Sequence, residues 1–278
     1  MIGFVDPLQG RLGNQLLQYL FLSQIGKYLQ SPVFYPSFLY MQELSLQPSA
    51  SMPWLRLLFR QSDILQAREL RMLDSQEVLA IIQKTINQKK IVVLQGQFLG
   101  DFFFDYEFIR PDYFFLQDKK QDDIDISAYV RIGIHCRGTD FYTWDPHAIL
   151  DSAYYKAAIE YCLEFYKDKQ IQIVICSDDK NFEVYQEVCS YLLHLKNVTV
   201  FMVGAGVLGD FINLSFCDVL ISSPSTFCIV AGFIGKPYKK IIHSKQWLEY
   251  VCAKQDLFWC KLYSGQYSKS SYVLWKSF

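Results

Sequence analysis

At 278 residues the chain has room for one large domain or two small ones. Its 27 Lys and Arg against 28 Asp and Glu leave a formal charge of −1, which offers no broad electrostatic grip on a polyanion and argues against a nucleic-acid partner. The aromatic share of 17% suits an aromatic-rich core, its commoner use, and also a sugar-stacking surface.

The opening MIGFVDPLQGRLGNQ lacks both a basic stretch and a long apolar run, so no signal peptide is expected, and no apolar run reaches membrane-spanning length. A cytoplasmic protein follows. Residues 1–6 read as a strand ending in Pro7 and Gly10. Leu16, Leu17, Leu20, Ile25 and Leu29 then recur at helical spacing. SPVFYP and KKIVVLQG are two further strands, with SQEVLAIIQKTINQ as the helix between them, so the first 120 or so residues are α/β. Residues 48–65 set two arginines among large apolar side chains without clear periodicity. That composition allows peripheral contact with a membrane surface, but a loop and helix packed on the core is the preferred reading.

The charged run LQDKKQDDIDIS, residues 116–127, separates two α/β blocks, and the domain division is expected there: an N-terminal domain over 1–126 and a C-terminal one over 127–278. Its Asp123-Ile124-Asp125 imitates a metal-binding DxD. No apolar strand leads into it, so it reads as solvated linker.

From residue 129 onward, strand and helix alternate: VRIGIHC, DSAYYKAAIEYCLEFY, IQIVICS, NFEVYQEVCSYLLHL, VTVFMVG, DFINLSFC, DVLISS, STFCIVAGFIG, KKIIH. Five strands joined by helices imply a parallel doubly wound sheet, whose ligands bind beyond the carboxyl ends of the strands. The loops after Cys136, Cys176, Val203 and Ser222 are therefore where function is expected. The eight cysteines mostly sit in apolar runs and none forms a CxxC pair, so buried reduced thiols are expected and no metal site.

In RIGIHCRGTD, alternation puts Gly133, His135 and Arg137 on one face and Ile132, Ile134 and Cys136 on the other. Arg137 falls at the strand end, Gly138 permits a sharp turn, and Asp140 follows. A guanidinium fork matches phosphate geometry. An Arg137–Asp140 surface ion pair with His135 as a satisfied core residue is the structural alternative.

CSDD places Ser177, Asp178 and Asp179 after a strand, where a carboxylate accepts from a ribose hydroxyl or base edge, or else caps the next helix. SSPSTF gives Ser222, Ser223, Ser225 and Thr226 at a helix start, whose N–H groups and dipole attract anions. Gly204, Gly206 and Gly209 satisfy GxGxxG, but the later region has no acid to bind ribose, which argues against a dinucleotide site. At the N-terminus, Gly10, Arg11, Gly13, Asn14 and Gln15 form a loop between strand and helix; an ordinary turn with Asn14 as N-cap is the structural alternative. If two domains face each other, that loop lies opposite the Arg137 turn.

Taken in order, GRLGNQLLQY, LQGQFLGDFFFD, HCRGTDF, YYKAAIEY, CSDD and DFINLSFCDVLISSPSTFCIVAGFIG resemble the motifs of the alpha-1,2-fucosyltransferases of glycosyltransferase family 11, and more distantly the alpha-1,6- and protein O-fucosyltransferases. The resemblance implies a GT-B-type fold of two Rossmann-like domains facing across a cleft. It implies no metal or cofactor, GDP-fucose in the C-terminal domain, and a galactose-terminated glycan as acceptor.

By the same resemblance Arg137 meets the donor β-phosphate, and Ser225, Thr226 and Phe227 lie along the diphosphate. Asp178, Ser223 and Gly13 belong with donor binding, Asn14 orients acceptor or sugar, and Asp140 or His135 takes the acceptor proton. Two departures stand out: Gly138 replaces the second arginine of the HxRRxD signature, and Cys228 and Val230 replace paired tryptophans. Inverting fucose transfer to a galactoside in a surface glycan such as O-antigen is the expected function. Another GDP-sugar transferase, a protein O-fucosyltransferase and a non-catalytic sugar-nucleotide-binding module are the alternatives.

Overall fold

The computed structural model describes residues 1–4, 10–34, 40–41, 43–44, 64–66, 75–89, 91–95, 129–204, 206–233, 240–254 and 273–277. The chain divides into two compact units, Met1–Phe115 and Leu116–Phe278. The charged run with its Asp123–Asp125 pair, most of the LQGQFLGDFFFD motif and Cys260 lie outside the described residues.

The first unit contains β1 (Ile2–Phe4), α1 (Leu12–Tyr28), β2 (Val33–Phe34), β3 (Ile64–Gln66), α2 (Ser75–Lys89) and β4 (Val92–Gln95). Its strands pair in the order β2-β1-β4-β3, every ladder parallel. Helix α1 is apolar almost all round and correspondingly sunk in the core, with Leu16, Leu17, Leu20, Phe21, Leu22 and Ile25 buried. Of residues 48–65, expected as loop and helix, 48–63 lie outside the described residues, and Ile64 and Leu65 open β3. A three-residue strand has no periodicity to betray it and exists because β4 offers an edge to pair with.

The second unit runs β5 (Tyr129–Cys136), α3 (Phe141–Trp144), a 3-10 turn (Pro146–Ala148), α4 (Ser152–Phe165), β6 (Gln170–Ser177), α5 (Glu183–Leu193), β7 (Val198–Met202), α6 (Gly206–Ser215), β8 (Val219–Ile221), α7 (Thr226–Phe233), β9 (Lys240–His243), α8 (Lys245–Ala253) and β10 (Val273–Ser277). The sheet order β7-β6-β5-β8-β9-β10, all parallel, is the 3-2-1-4-5-6 order of a Rossmann sheet. Both units are thus parallel α/β, as the alternation predicts.

The expectation of five strands is one short: β10 adds a sixth against β9, with a register shift between Leu274 and Lys276. The short helices α3 and α8 were also not anticipated, and α6 begins earlier than expected, at Gly206.

Central strands covered on both faces must be continuously apolar. Accordingly Ile132 and Ile134 of β5, Ile173, Val174 and Ile175 of β6 and Val219, Leu220 and Ile221 of β8 are fully buried. Each large aliphatic among them contributes roughly 1.5–3 kcal/mol. Gly133 and His135 face Leu214 of α6, Cys217 just after it and Phe227 of α7, while Cys136 turns to Tyr155 on α4 and Cys189 on α5. The two faces therefore divide as the alternation requires.

The six cysteines from 136 to 228 are buried and free, and Cys252 is exposed. Tyr154 on α4 puts its hydroxyl 3.0 Å from the Ser222 carbonyl and 3.1 Å from that of Ile242, tying the ends of β8 and β9 together. Among the described residues no helix is long and apolar enough to cross a membrane.

Candidate functional site at the sheet switch point

In the 3-2-1-4-5-6 order the crossovers change direction between β5 and β8, which opens a crevice at their carboxyl ends. The turn after β5 carries Arg137, Gly138, Thr139 and Asp140, and the segment after β8 carries Ser222 to Thr226. These are two of the segments that the sequence singles out. They are joined by a buried hydrogen bond of 2.7 Å between His135 Nδ1 and Ser223 Oγ, across 88 residues of chain.

Arg137 is only 8% exposed, and such a charge must be paired. Its Nε and Nη2 donate to Asp140 at 2.8–3.0 Å, and Nε also lies 3.1 Å from Asp178 Oδ2. Nη1 makes no hydrogen bond to a described residue. Asp178 also accepts from the Gly138 N–H at 3.1 Å and from the Thr139 hydroxyl. Burial opposes its ionisation, but the Thr139 hydroxyl, Arg137 and the Gly138 N–H together hold its carboxyl below the usual range. Through these contacts Asp178, expected to meet ribose or base, fastens the β5 turn.

Neither aspartate after β6 caps α5, whose N-cap is Phe182 without a side-chain bond. Asp179 accepts from the Asn181 N–H at 2.8 Å in an Asx turn before it. Gly138, where the resemblance expects a second arginine, has a steric reason to be glycine. A Cβ there would sit 2.7 Å from the Phe182 ring.

Of the two expected bases, His135 is poorly suited. It is 3% exposed, bonded to Ser223 and flanked by the Phe227 ring at 5.2 Å. Burial first, then Arg137, drives its pKa down to about 3, so it is a neutral, weakly basic imidazole at neutral pH. Asp140 is partly exposed but chelates Arg137.

Phe227, expected along a diphosphate, packs its ring against Phe211 at 5.4 Å, so what it offers an anion is its backbone N–H. Ser222 donates to the Ser223 carbonyl at 2.7 Å, which makes its hydroxyl structural. Ser225 and Thr226 stand at the α7 start. Cys228 and Val230 are fully buried in the position expected for tryptophans.

In the first unit, helix α1 begins at Leu12, so Gly13, Asn14 and Gln15 belong to its first turn rather than to a loop. The N-cap is Arg11, not Asn14. Gly10, at φ +81°, takes the left-handed conformation glycine permits, and its carbonyl accepts from Gln15 Nε2 at 2.9 Å. The Asn14 side chain lies against Gly10. The GxGxxG follows β7, an edge strand, and not the strand beside the switch point.

Three contributors escaped the sequence reading: Thr139, Phe182 and Phe141, over whose ring the Arg137 guanidinium sits at 5.2 Å. The aromatic run FYTW directly after the turn was the available signal. No cluster of three or more potential metal ligands occurs among the described residues.

No protein-family model matches the chain, and no curated protein does either. Among solved structures the chain is similar to POFUT1 in complex with GDP-fucose, at 11% identity and a TM-score of 0.49, covering 84% of this chain and 93% of that one. It is also similar to POFUT1 in complex with GDP, at 12% identity and a TM-score of 0.47, with the same coverage of both chains. Identities this low carry no residue-by-residue correspondence.

Proposed function

We propose that the chain is a metal-independent glycosyltransferase that moves L-fucose, with inversion, from GDP-fucose to the 2-hydroxyl of a terminal galactoside in a surface glycan such as O-antigen, on the cytoplasmic side of a membrane. The observation that carries this reading is the meeting, at the switch point of a Rossmann sheet, of the Arg137 turn and the Ser225–Thr226 helix start, locked by His135 and Ser223. Breaking the bond from C1 to the β-phosphate oxygen puts charge on the departing diphosphate. A guanidinium held in place by two carboxylates and a helix N-terminus are preorganised groups for that charge. In this reading Arg137 presents Nη1 to phosphate, Ser225, Thr226 and the Phe227 N–H flank the diphosphate, and Asp178 holds the turn. Asp140 is the better placed of the two bases because His135 is buried. Asn14 orients the acceptor or the sugar, and Gly13 belongs with donor binding.

The clamp of Asp140 and Asp178 on Arg137 favours one second reading, a sugar-nucleotide-binding module without catalysis, since both carboxylates compete with phosphate for the cation. Purified protein incubated in EDTA with GDP-fucose and lactose or N-acetyllactosamine separates these. Acceptor-dependent GDP release is the expected result. Nucleotide binding without release selects the module, and absence of GDP-fucose binding overturns both.

A further inference from the structure

The segment after the Arg137 turn holds a second arrangement. Phe141, beneath the guanidinium, lies 5.1 Å from Trp144, and Trp144 lies 6.2 Å from the buried Trp247 of α8. Trp247 in turn packs 5.5 Å from Tyr250, whose ring stacks on His147 at 4.1 Å and 13°. This continuous row of rings leads outward from the switch point. Its outer members are open: Trp144 is 56% exposed and His147 is exposed beside it.

Trp144 is a large ring in water joined through Phe141 to the Arg137 turn, and aromatic side chains are enriched at contact sites. The rim is polar and nearly neutral. Asp145 accepts from Tyr250 Oη at 2.7 Å and lies 3.1 Å from His147 Nδ1 and 3.5 Å from Lys254 Nζ. Lys254 also sits over the Tyr250 ring at 4.3 Å. One carboxylate balanced by one ammonium does not select a charged ligand. The exposed Trp144 ring beside fixed donors and acceptors instead matches a sugar, whose C–H bonds are drawn to the negative face of an aromatic ring and whose hydroxyls need partners.

We infer that the Trp144–His147–Tyr250 shelf, rimmed by Asp145 and Lys254, is the seat of the acceptor saccharide, with a galacto-configured pyranose stacked on Trp144. The galacto configuration fits because its C3, C4 and C5 hydrogens share one face. The inference rests on the transferase reading, and it gives that reading an acceptor subsite within the second unit, reached from Arg137 through Phe141.

The test uses the full chain and the variants Trp144→Ala and Trp144→Phe, with three readouts: GDP-fucose affinity by calorimetry, lactose KM in transfer, and direct lactose titration by intrinsic fluorescence with cellobiose as the glucose-terminated control. Trp144→Ala should raise the lactose KM about tenfold or more, the loss typical of one aromatic anchor, with donor affinity unchanged. Trp144→Phe should recover most of that loss. A lactose KM within twofold of the parent, or equal binding of lactose and cellobiose, overturns the shelf while leaving the transferase reading intact. A drop in donor affinity in Trp144→Ala overturns it by assigning the ring to the nucleotide. If the parent chain binds no GDP-fucose, the transferase reading fails, and the lactose titration then decides the shelf separately.

Discussion

The turns after β5 and β8 meet at one crevice but are built from opposite materials. The β5 turn is organised by charge: one guanidinium is divided between Asp140 and Asp178, and the second carboxylate reaches back to the Gly138 N–H and Thr139. The β8 turn has no charged side chain among Ser222 to Thr226. It is organised by buried hydroxyls and backbone, with Ser222 and Ser223 committed inward. A fixed cation supplies long-range attraction for an anion, whereas a helix start supplies short, directed N–H donors. Side chains in the first turn should therefore govern rate, and the inward hydroxyls of the second should govern stability.

The sharpest test of that division is Arg137→Ala, expected to lower transfer about a hundredfold to a thousandfold, the cost of losing one preorganised donor. Arg137→Lys, which keeps a charge for the two carboxylates but loses the fork, should fold normally and recover little activity. Parental kcat in either variant breaks the comparison.

Next in size is Gly138→Arg. Restoring the second arginine of the signature should not raise activity and should destabilise by about 1–3 kcal/mol, because a Cβ at that position meets the Phe182 ring at 2.7 Å. Urea unfolding checks this, and an unchanged midpoint would refute the steric account of Gly138.

Ser223→Ala and Ser225→Ala separate the hydroxyl bonded to His135 from the one at the α7 start. The first leaves buried His135 without its 2.7 Å partner and should cost about 1–3 kcal/mol of stability. The second should leave the unfolding midpoint nearly unchanged and weaken GDP binding severalfold. Reversed outcomes would put Ser223 on the ligand.

The smallest effect per step is pH-dependent stability. His135 titrates near 3 when folded, below its ordinary 6.5, and His243, also depressed by burial, near 4. Each contributes stability that is fully present above pH 6.5 and is lost as pH falls toward the folded value, because the unfolded chain takes up the proton first. Asp178, also depressed, acts in the same direction at lower pH. Each histidine should cost at most about 1.4 kcal/mol per pH unit in this window. His135→Gln should flatten the slope, and a slope unchanged in that variant would mean that His135 is not the titrating group.

Much of the second unit is legible from local pattern. The apolar runs of β5, β6 and β8 and the helical spacing of α4 and α5 announce themselves, because core strands of a parallel sheet must be apolar and surface helices amphipathic. β3 and β10 carry no such pattern and are strands only because β4 and β9 offer them an edge. The structural alternative of a cap at Asn14 fails for a related reason: the N-cap is Arg11, three residues earlier.

The site divides along the same line. Arg137, Asp140, Ser223 and Ser225 could be named because strand ends and helix starts are visible in sequence. That Asp178 would serve the Gly138 turn, 40 residues away, was not visible, nor was the bond between His135 and Ser223.

By itself the order of residues determined two α/β blocks, the strand ends where polar groups gather, and the likeness to fucosyltransferase motifs, all of them properties of neighbours along the chain. Only the tertiary structure decided which strand ends adjoin, that a Cβ at 138 meets the Phe182 ring, that His135 is buried against Ser223 and Phe227, and that Trp144 of the FYTW run meets Trp247 of α8. Strand order and burial are set by contacts between residues far apart in the chain, and local periodicity carries no record of them.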